Sequence, residues 1–407
     1  PAARKMHFDD ELMGNLIRFV SSHEIGHTLG LRHNMGSSSK TPVEKLRDKT
    51  WVEANGHTAS IMDYARFNYV AQPEDKIAQS GLFPRIGDYD KWAIQWGYTY
   101  TGENDAQADR KINNKWIIDN LSKNPRVWFG GEGRNDDPRA QTEDLGDDAI
   151  LASKYGIKNL QRIVPNLIEW TTEAGEDYDD LSEMYGHVLS QFGRYMGHVS
   201  NNIGGVYEHY KTADQEGAVY TYVDKTHQKN CLNFVSEELF ETPKWLIDED
   251  IFSRIEYSGS IERLRRLQER SINNILSLGK MARMIENETL NGNDAYTLTS
   301  MMRDLRNNVW RELRTAKKID TYRRNLQRAH IDRLGYLMTA KNQTKFRGSP
   351  YVKSTAVNTS QSDIRAVVRA ELKTLKRSLQ SAGGADTMSR IHIQDAVERI
   401  NDILDPK

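Results

Sequence analysis

The stretch that decides the fold is His23-Glu24-Ile25-Gly26-His27-Thr28-Leu29-Gly30-Leu31-Arg32-His33. It has the form H-E-x-x-H-x-x-G-x-x-H. Residues four apart on an α-helix share a face one turn up the axis, so His23 and His27 present two imidazoles to one point. Glu24 stands beside them, near enough to hold a water on a bound metal but angled away from ligation. Gly30 lets the chain leave the helix with positive φ, a conformation that costs other residues more. His33 then returns as a third ligand. Three neutral imidazoles leave one tetrahedral position for water, which is the catalytic rather than the closed structural arrangement of zinc. With equal residue use, five fixed positions tested at about 400 starts arise by chance roughly once in ten thousand chains, so a fortuitous histidine cluster is the weaker reading.

The surroundings agree with a helix that stops at Gly30. Residues 10–29 carry Leu12, Leu16, Ile17 and Val20 at helical spacing, with Asp9 or Asp10 as cap. The chemistry expected of the site is peptide hydrolysis. Zinc acidifies its water toward pKa ~7 and polarises the scissile carbonyl. Glu24 is the general base that takes the water proton and later delivers it to the leaving amine.

At this point the chain resembles the metzincins, whose second hallmark is a methionine turn beneath the metal. Ser60-Ile61-Met62-Asp63-Tyr64 fits that turn, 29 residues after His33. Met62 is expected to pack its polarisable thioether under the histidines without ligating the metal. Tyr64 matches the tyrosine of astacin- and serralysin-type members. That resemblance implies either zinc ligation in the resting state or a hydrogen bond to the oxyanion. Asn34 departs from the astacin glutamate, the serralysin proline and the adamalysin aspartate at the position after the third histidine. The looser likeness is to the large zinc metalloproteases of Bacteroides-type bacteria with an EcxA-like zinc-binding region. It is carried by His33-Asn34-Met35-Gly36, by residues 61–69, by Asp137-Pro138-Arg139-Ala140-Gln141 and by residues 143–148. It implies an exported, extracytoplasmic enzyme acting on a protein or peptide.

Only 22 residues precede His23, too few for the twisted sheet that a metzincin places before its zinc helix. The expectation is therefore a C-terminal part of a longer chain, the N-terminal remainder supplying the upper sheet, with weak or absent proteolysis by these residues alone. The fold class expected is mainly α, with few short strands: the lower half of a metzincin domain over residues 1–100, then a helical region over 101–407 dividing near 250–260. Residues 101–148 read as a polar boundary or long loop, and 88–97 as a helix capped by Asp88. Further helices are expected over 178–200 and near 228–240, 260–287, 294–315, 318–340, 361–381 and 387–404. A short strand is expected over Ala218–Val223 and a polar loop over 341–360.

Composition removes other classes. Net charge is −1, so no global field attracts nucleic acid. No run reaches the ~18 apolar residues of a membrane span. Cys231 is the only cysteine, so no intrachain disulfide forms, and it reads as a core residue. Asp136, Asp137, Glu143, Asp144, Asp147 and Asp148 offer oxygen ligands for Ca2+, but a helix cap by Asp144 or Asp147 is the preferred reading. His187 and His198 read as ordinary core or surface histidines, and Trp92, Trp96, Trp116, Trp128, Trp170, Trp245 and Trp310 read as core residues. The alternative to a zinc endopeptidase is a non-catalytic helical scaffold that retains the metal site.

Overall fold

The structure, a computed structural model, describes residues 4–132, 136–341 and 357–406. Most of the loop expected over 341–360, and Gly133 of the expected boundary, lie outside them. Helix of all kinds accounts for 65% of the described residues and the only strands among them are two of three residues each, so the fold is mainly α.

The chain forms two compact units, Pro1–His198 and Val199–Lys407. The sequence suggests divisions near 100 and 250–260. Val43, Leu46, Ala65 and Val70 share one hydrophobic cluster with Leu145 and Ala152. Residues on both sides of position 100 therefore bury apolar surface together within the first unit.

The first unit contains α1 (Asp10–Thr28), α2 (Lys49–Asn55), α3 (Gln79–Leu82), α4 (Asp88–Tyr98), α5 (Ala106–Lys123), α6 (Ala149–Ile163), α7 (Leu167–Thr171) and α8 (Asp179–Ser200). Asp9 caps α1 by accepting from Leu12 N at 2.9 Å. Helix α5 replaces the loop expected over 101–148. It carries no apolar stripe and buries none of its residues fully, so its sequence lacks the periodicity that betrays a helix. Asp105 caps it, and Trp116 packs edge-on against Trp92 of α4 at 4.8 Å. Two cap assignments change. Gly87, not Asp88, is the N-cap of α4, and Asp90 reaches back to its N–H. Asp148, not Asp144 or Asp147, caps α6, while Asp147 accepts from Val43 N. Trp96 is exposed rather than core.

The second unit starts with a hairpin of β1 (Val206–Glu208) and β2 (Tyr220–Tyr222), paired antiparallel with Tyr207 opposite Thr221. Then follow α9 (Lys225–Val235), α10 (Glu249–Ile255), α11 (Ser260–Ile275), α12 (Leu278–Asn291), α13 (Leu298–Val309), α14 (Glu312–Thr315), α15 (Thr321–Thr339), α16 (Asp363–Gln380) and α17 (Thr387–Leu404). The single helix expected over 260–287 is α11 and α12, broken at Leu276–Ser277. No described helix is long and apolar enough to cross a membrane. Cys231 is buried, as expected.

Helix α15 packs against α11, α13, α16 and α17, and its buried face is unusually polar. Arg323 pairs with Glu312 through two hydrogen bonds (2.6 and 3.0 Å) and donates to the carbonyls of Phe240 and Val309. Gln327 donates to Glu312 and to Val309 O, and accepts from His392 Nε2 at 2.8 Å. Trp310 Nε1 donates to His330 Nδ1 at 3.1 Å. A ring nitrogen that accepts carries no proton, so His330 is neutral here. Burial pushes the pKa of His330 down to about 3 and that of His392 down to about 4.

Both histidines take up protons in the unfolded chain near pH 6.5 but not in the fold. The stability they contribute is thus complete above about pH 6.5 and lost as pH falls toward 4. Unfolding followed by Trp310 fluorescence should lose stability over that window. His392→Gln keeps a donor to Gln327 and should flatten the slope by about 1.4 kcal/mol per pH unit. An unchanged slope would show that His392 does not carry the effect.

Candidate metal centre

Helix α1 delivers His23 and His27 to one side, and the chain turns back at Gly30 (φ 87°) so that His33 joins them. Leu31 N donates to Gly26 O at 3.0 Å and closes that turn. Ligand-capable atoms of His23, His27 and His33 all lie within 4.8 Å of one another. The ring centroids of His27 and His33 are 4.7 Å apart, and those of His23 and His27 are 4.8 Å apart, each pair nearly perpendicular.

The hydrogen bonds fix which nitrogen faces the centre. His23 Nδ1 lies 2.8 Å from Ile61 O, and His27 Nδ1 lies 2.9 Å from Leu31 O. A carbonyl only accepts, so each Nδ1 carries the proton and each Nε2 keeps its lone pair. His23 Nε2 is buried with no hydrogen-bond partner. His27 Nε2 and His33 Nε2 stand 3.2 Å apart. Two nitrogens sharing a tetrahedral zinc at ~2.05 Å would be about 3.3 Å apart, so the donor set fits zinc. Burial, followed by the neighbouring His27 and His23, lowers the pKa of His33, which favours the neutral form that a metal requires.

The methionine turn closes the floor. A Cβ built on Gly26 would come within 2.4 Å of Met62 Sδ, so a glycine between the first two histidines is what allows the thioether to sit against the helix. Met62 is fully buried. Tyr64 is part-exposed, its ring stacked on His23 at 5.0 Å and tilted against His33 at 4.7 Å. Glu24 is exposed on α1 and within electrostatic reach of His33.

Several residues that hold this arrangement carry no signal in the sequence, because their partners are distant along the chain. Asp90 accepts from Ser60 Oγ (2.6 Å), Ile61 N (2.8 Å) and Gly87 N (2.8 Å), which sets the carbonyl that His23 uses. Asn34 N donates to Met62 O, its Nδ2 to Trp128 O, and its Oδ1 accepts from Gly130 N. Arg126 joins Asp88, Thr41 Oγ1, Asn55 O and Thr58 O. Glu143 pairs with both Arg66 and Arg194, while Arg139 pairs with its near neighbour Asp137. Arg66 and Glu143 both adopt positive φ (56° and 61°) and line a cavity of about 750 Å³ with Phe67, Tyr69, Leu160 and Trp170. Its wall begins at Ala65, one residue beyond Tyr64.

The remaining histidines stay apart from the centre. His187 is exposed beside Glu183, and His198 is buried against Thr142 O.

Comparison with known proteins agrees with this geometry. No curated protein and no solved structure matches the chain. A family model described as Met-zincin matches residues 5–317, well over half of the sequence. Such a family implies a zinc cofactor and a metallopeptidase. The H-E-x-x-H-x-x-G-x-x-H helix, the buried Met62 below it and the extent of that match lead to one conclusion: the chain belongs to the Met-zincin family.

Proposed function

We propose that the protein is a zinc endopeptidase with one catalytic ion held by His23, His27 and His33. The observation that carries this reading is the convergence of three imidazoles, two of them with Nδ1–H committed to a carbonyl and so with Nε2 lone pairs free. Zinc supplies Lewis acidity, acidifying water and polarising a carbonyl. Glu24 accepts the proton of the attacking water and passes it to the leaving nitrogen. Tyr64 Oη donates to the developing oxyanion. Met62 holds the ring positions from below. The cavity that opens past Tyr64 receives a substrate side chain, and its aromatic and aliphatic walls favour an apolar one.

We further propose that the cleft is completed by elements beyond these residues, and that the enzyme works outside the cytoplasm. Met13, Ile17 and Val20 form an exposed apolar stripe on α1, at the spacing that continues to Glu24. Monomeric proteins rarely leave such a stripe wet beside a reaction centre. A strand-bearing segment laid over it would bury the stripe and pair with an extended substrate.

Glu24→Ala should retain about one zinc per chain, measured by elemental analysis, while cleavage by the full-length natural protein falls by at least 10²-fold. Unchanged cleavage would remove Glu24 as the base. Gly26→Ala drives a methyl into Met62 Sδ and should weaken zinc retention against a chelator with the helix content intact; equal retention would deny Met62 its supporting role. These 407 residues alone should cleave a generic peptide library weakly or not at all. Robust turnover would overturn the incomplete cleft.

A further inference from the structure

A second group of oxygen atoms lies under the methionine turn and is used by none of the chemistry above. Asp63, between Met62 and Tyr64, is fully buried. Its Oδ2 accepts from Ser38 N (2.7 Å), Ser37 Oγ (3.0 Å) and Thr58 Oγ1 (3.1 Å). Three donors on one oxygen is an environment for an ionised carboxylate. Its Oδ1 is buried with no partner.

Asp144 comes to the same place from the other end of the unit. Glu143 N donates to Tyr64 O at 2.8 Å, and Leu145 N to Tyr69 Oη at 3.2 Å, so the residue between them lies against the turn. Asp144 is buried, its Oδ1 also lacks a partner, and the charge it feels most strongly is that of Asp63. Ser38, whose N–H donates to Asp63 Oδ2, carries a third buried oxygen, Oγ, that forms no hydrogen bond of normal geometry.

Among the described residues, no basic side chain forms an ion pair with either carboxylate. Arg139 is bound to Asp137 at 2.6 Å, and Arg66 and Arg194 are bound to Glu143. Two buried carboxylates within reach of each other must be neutralised, by protons or by a cation. Burial, opposed by the donors on Oδ2, leaves the Asp63 carboxyl pushed up to about 7, and burial together with the charge of Asp63 raises that of Asp144, the direction a counter-charge would reverse.

We propose that Asp63 Oδ1, Asp144 Oδ1 and Ser38 Oγ hold a hard divalent cation of the calcium class, which ties the 137–148 segment to the methionine turn. The donors are all oxygen, which suits Ca2+ and not the zinc of the histidine centre. The sequence alone favoured cap roles for the acidic stretch 136–148, because it offers no view of Asp63 or Ser38, which lie about 80 and 106 positions away from Asp144.

The test is Ca2+ titration of the zinc-loaded protein in calcium-free buffer, read by calorimetry, by Tb3+ emission sensitised through the adjacent Tyr69, and by thermal unfolding. One ion per chain should bind with Kd below about 1 mM and raise Tm. Asp144→Asn should weaken binding at least tenfold. Because it removes a buried charge, it should also melt at or above the wild-type temperature when calcium is absent. Ser38→Ala, a smaller change, should weaken binding several-fold and serves where Asp144→Asn does not fold. Absence of saturable Ca2+ and Tb3+ binding would overturn the site, as would wild-type affinity in both variants. A wild type indifferent to cations that gains stability as pH falls from 8 to 6 would also overturn it, assigning the pair a shared proton.

Discussion

The hydrogen bond from His23 Nδ1 to the Ile61 carbonyl joins the two halves of the centre, and much else is arranged around it. It fixes the tautomer of the first histidine and aims Nε2 inward. The carbonyl is itself fixed: Asp90 holds Ile61 N and Ser60 Oγ, and Ser60 Oγ in turn accepts from Met62 N. The same five residues then place Met62 beneath Gly26, offer Met62 O to Asn34, and stand Tyr64 against two of the rings. A loop without regular structure is rigid here because nearly every polar atom in it has a fixed partner. That is the condition for a metal site to hold its geometry when the ion is exchanged.

The legible part of the centre is the part that helix geometry writes into spacing. His23, Glu24 and His27 lie within about one turn of each other, and Gly30 and His33 follow from the exit of that helix. The turn at 60–64 was readable only through resemblance, since nothing in its own spacing places Met62 under Gly26. Asp90, Asn34 and Arg126 were not readable at all. Their roles depend on partners 28 to 96 positions away, at Ile61, Gly130 and Thr41 among others. Helix α8, expected over 178–200, was legible because Leu181, Tyr185, Phe192 and Tyr195 recur at helical spacing and are buried on one face. Helix α5 escaped because periodicity detects burial rather than helicity, and α5 buries little. The cluster that spans position 100 escaped for a related reason. Apolar residues at 43–70 and 145–152 give no sign along the chain that they form one cluster.

The two units solve the problem of buried polarity in opposite ways. Around α15, Arg323 and Glu312 neutralise each other, the arginine also feeds backbone carbonyls, and the histidines stay uncharged. Such a network is self-contained: each buried charge meets its opposite, so nothing external is required. Below the methionine turn the buried groups are mostly carboxylates. Asp90 has three donors, and Asp137 has Arg139. Asp63 and Asp144 are each left with one buried carboxylate oxygen that no donor meets. The first unit thus leaves buried polarity unanswered beside the turn that carries Met62, where the second unit answers it internally.

Asn34 shows why this chain departs from the better-known metzincin subfamilies at the position after the third histidine. Its backbone N–H donates to Met62 O, so a proline there would forfeit the link between the third ligand and the turn. Its side chain must both donate, to Trp128 O at 2.9 Å, and accept, from Gly130 N at 2.7 Å. An aspartate accepts but does not donate when ionised, and it would bring a charge to a fully buried place already near other carboxylates. A glutamate adds a methylene and the same defect. Asparagine alone among these options satisfies both carbonyl and amide of the 128–131 segment. That segment is tied to the chain on either side of the third histidine: Met35 N donates to Gly131 O, and Glu132 pairs with Arg32 beside His33. The residue that marks a subfamily is therefore set by what the third histidine's loop leans on, and here it leans on a backbone edge that demands an amide.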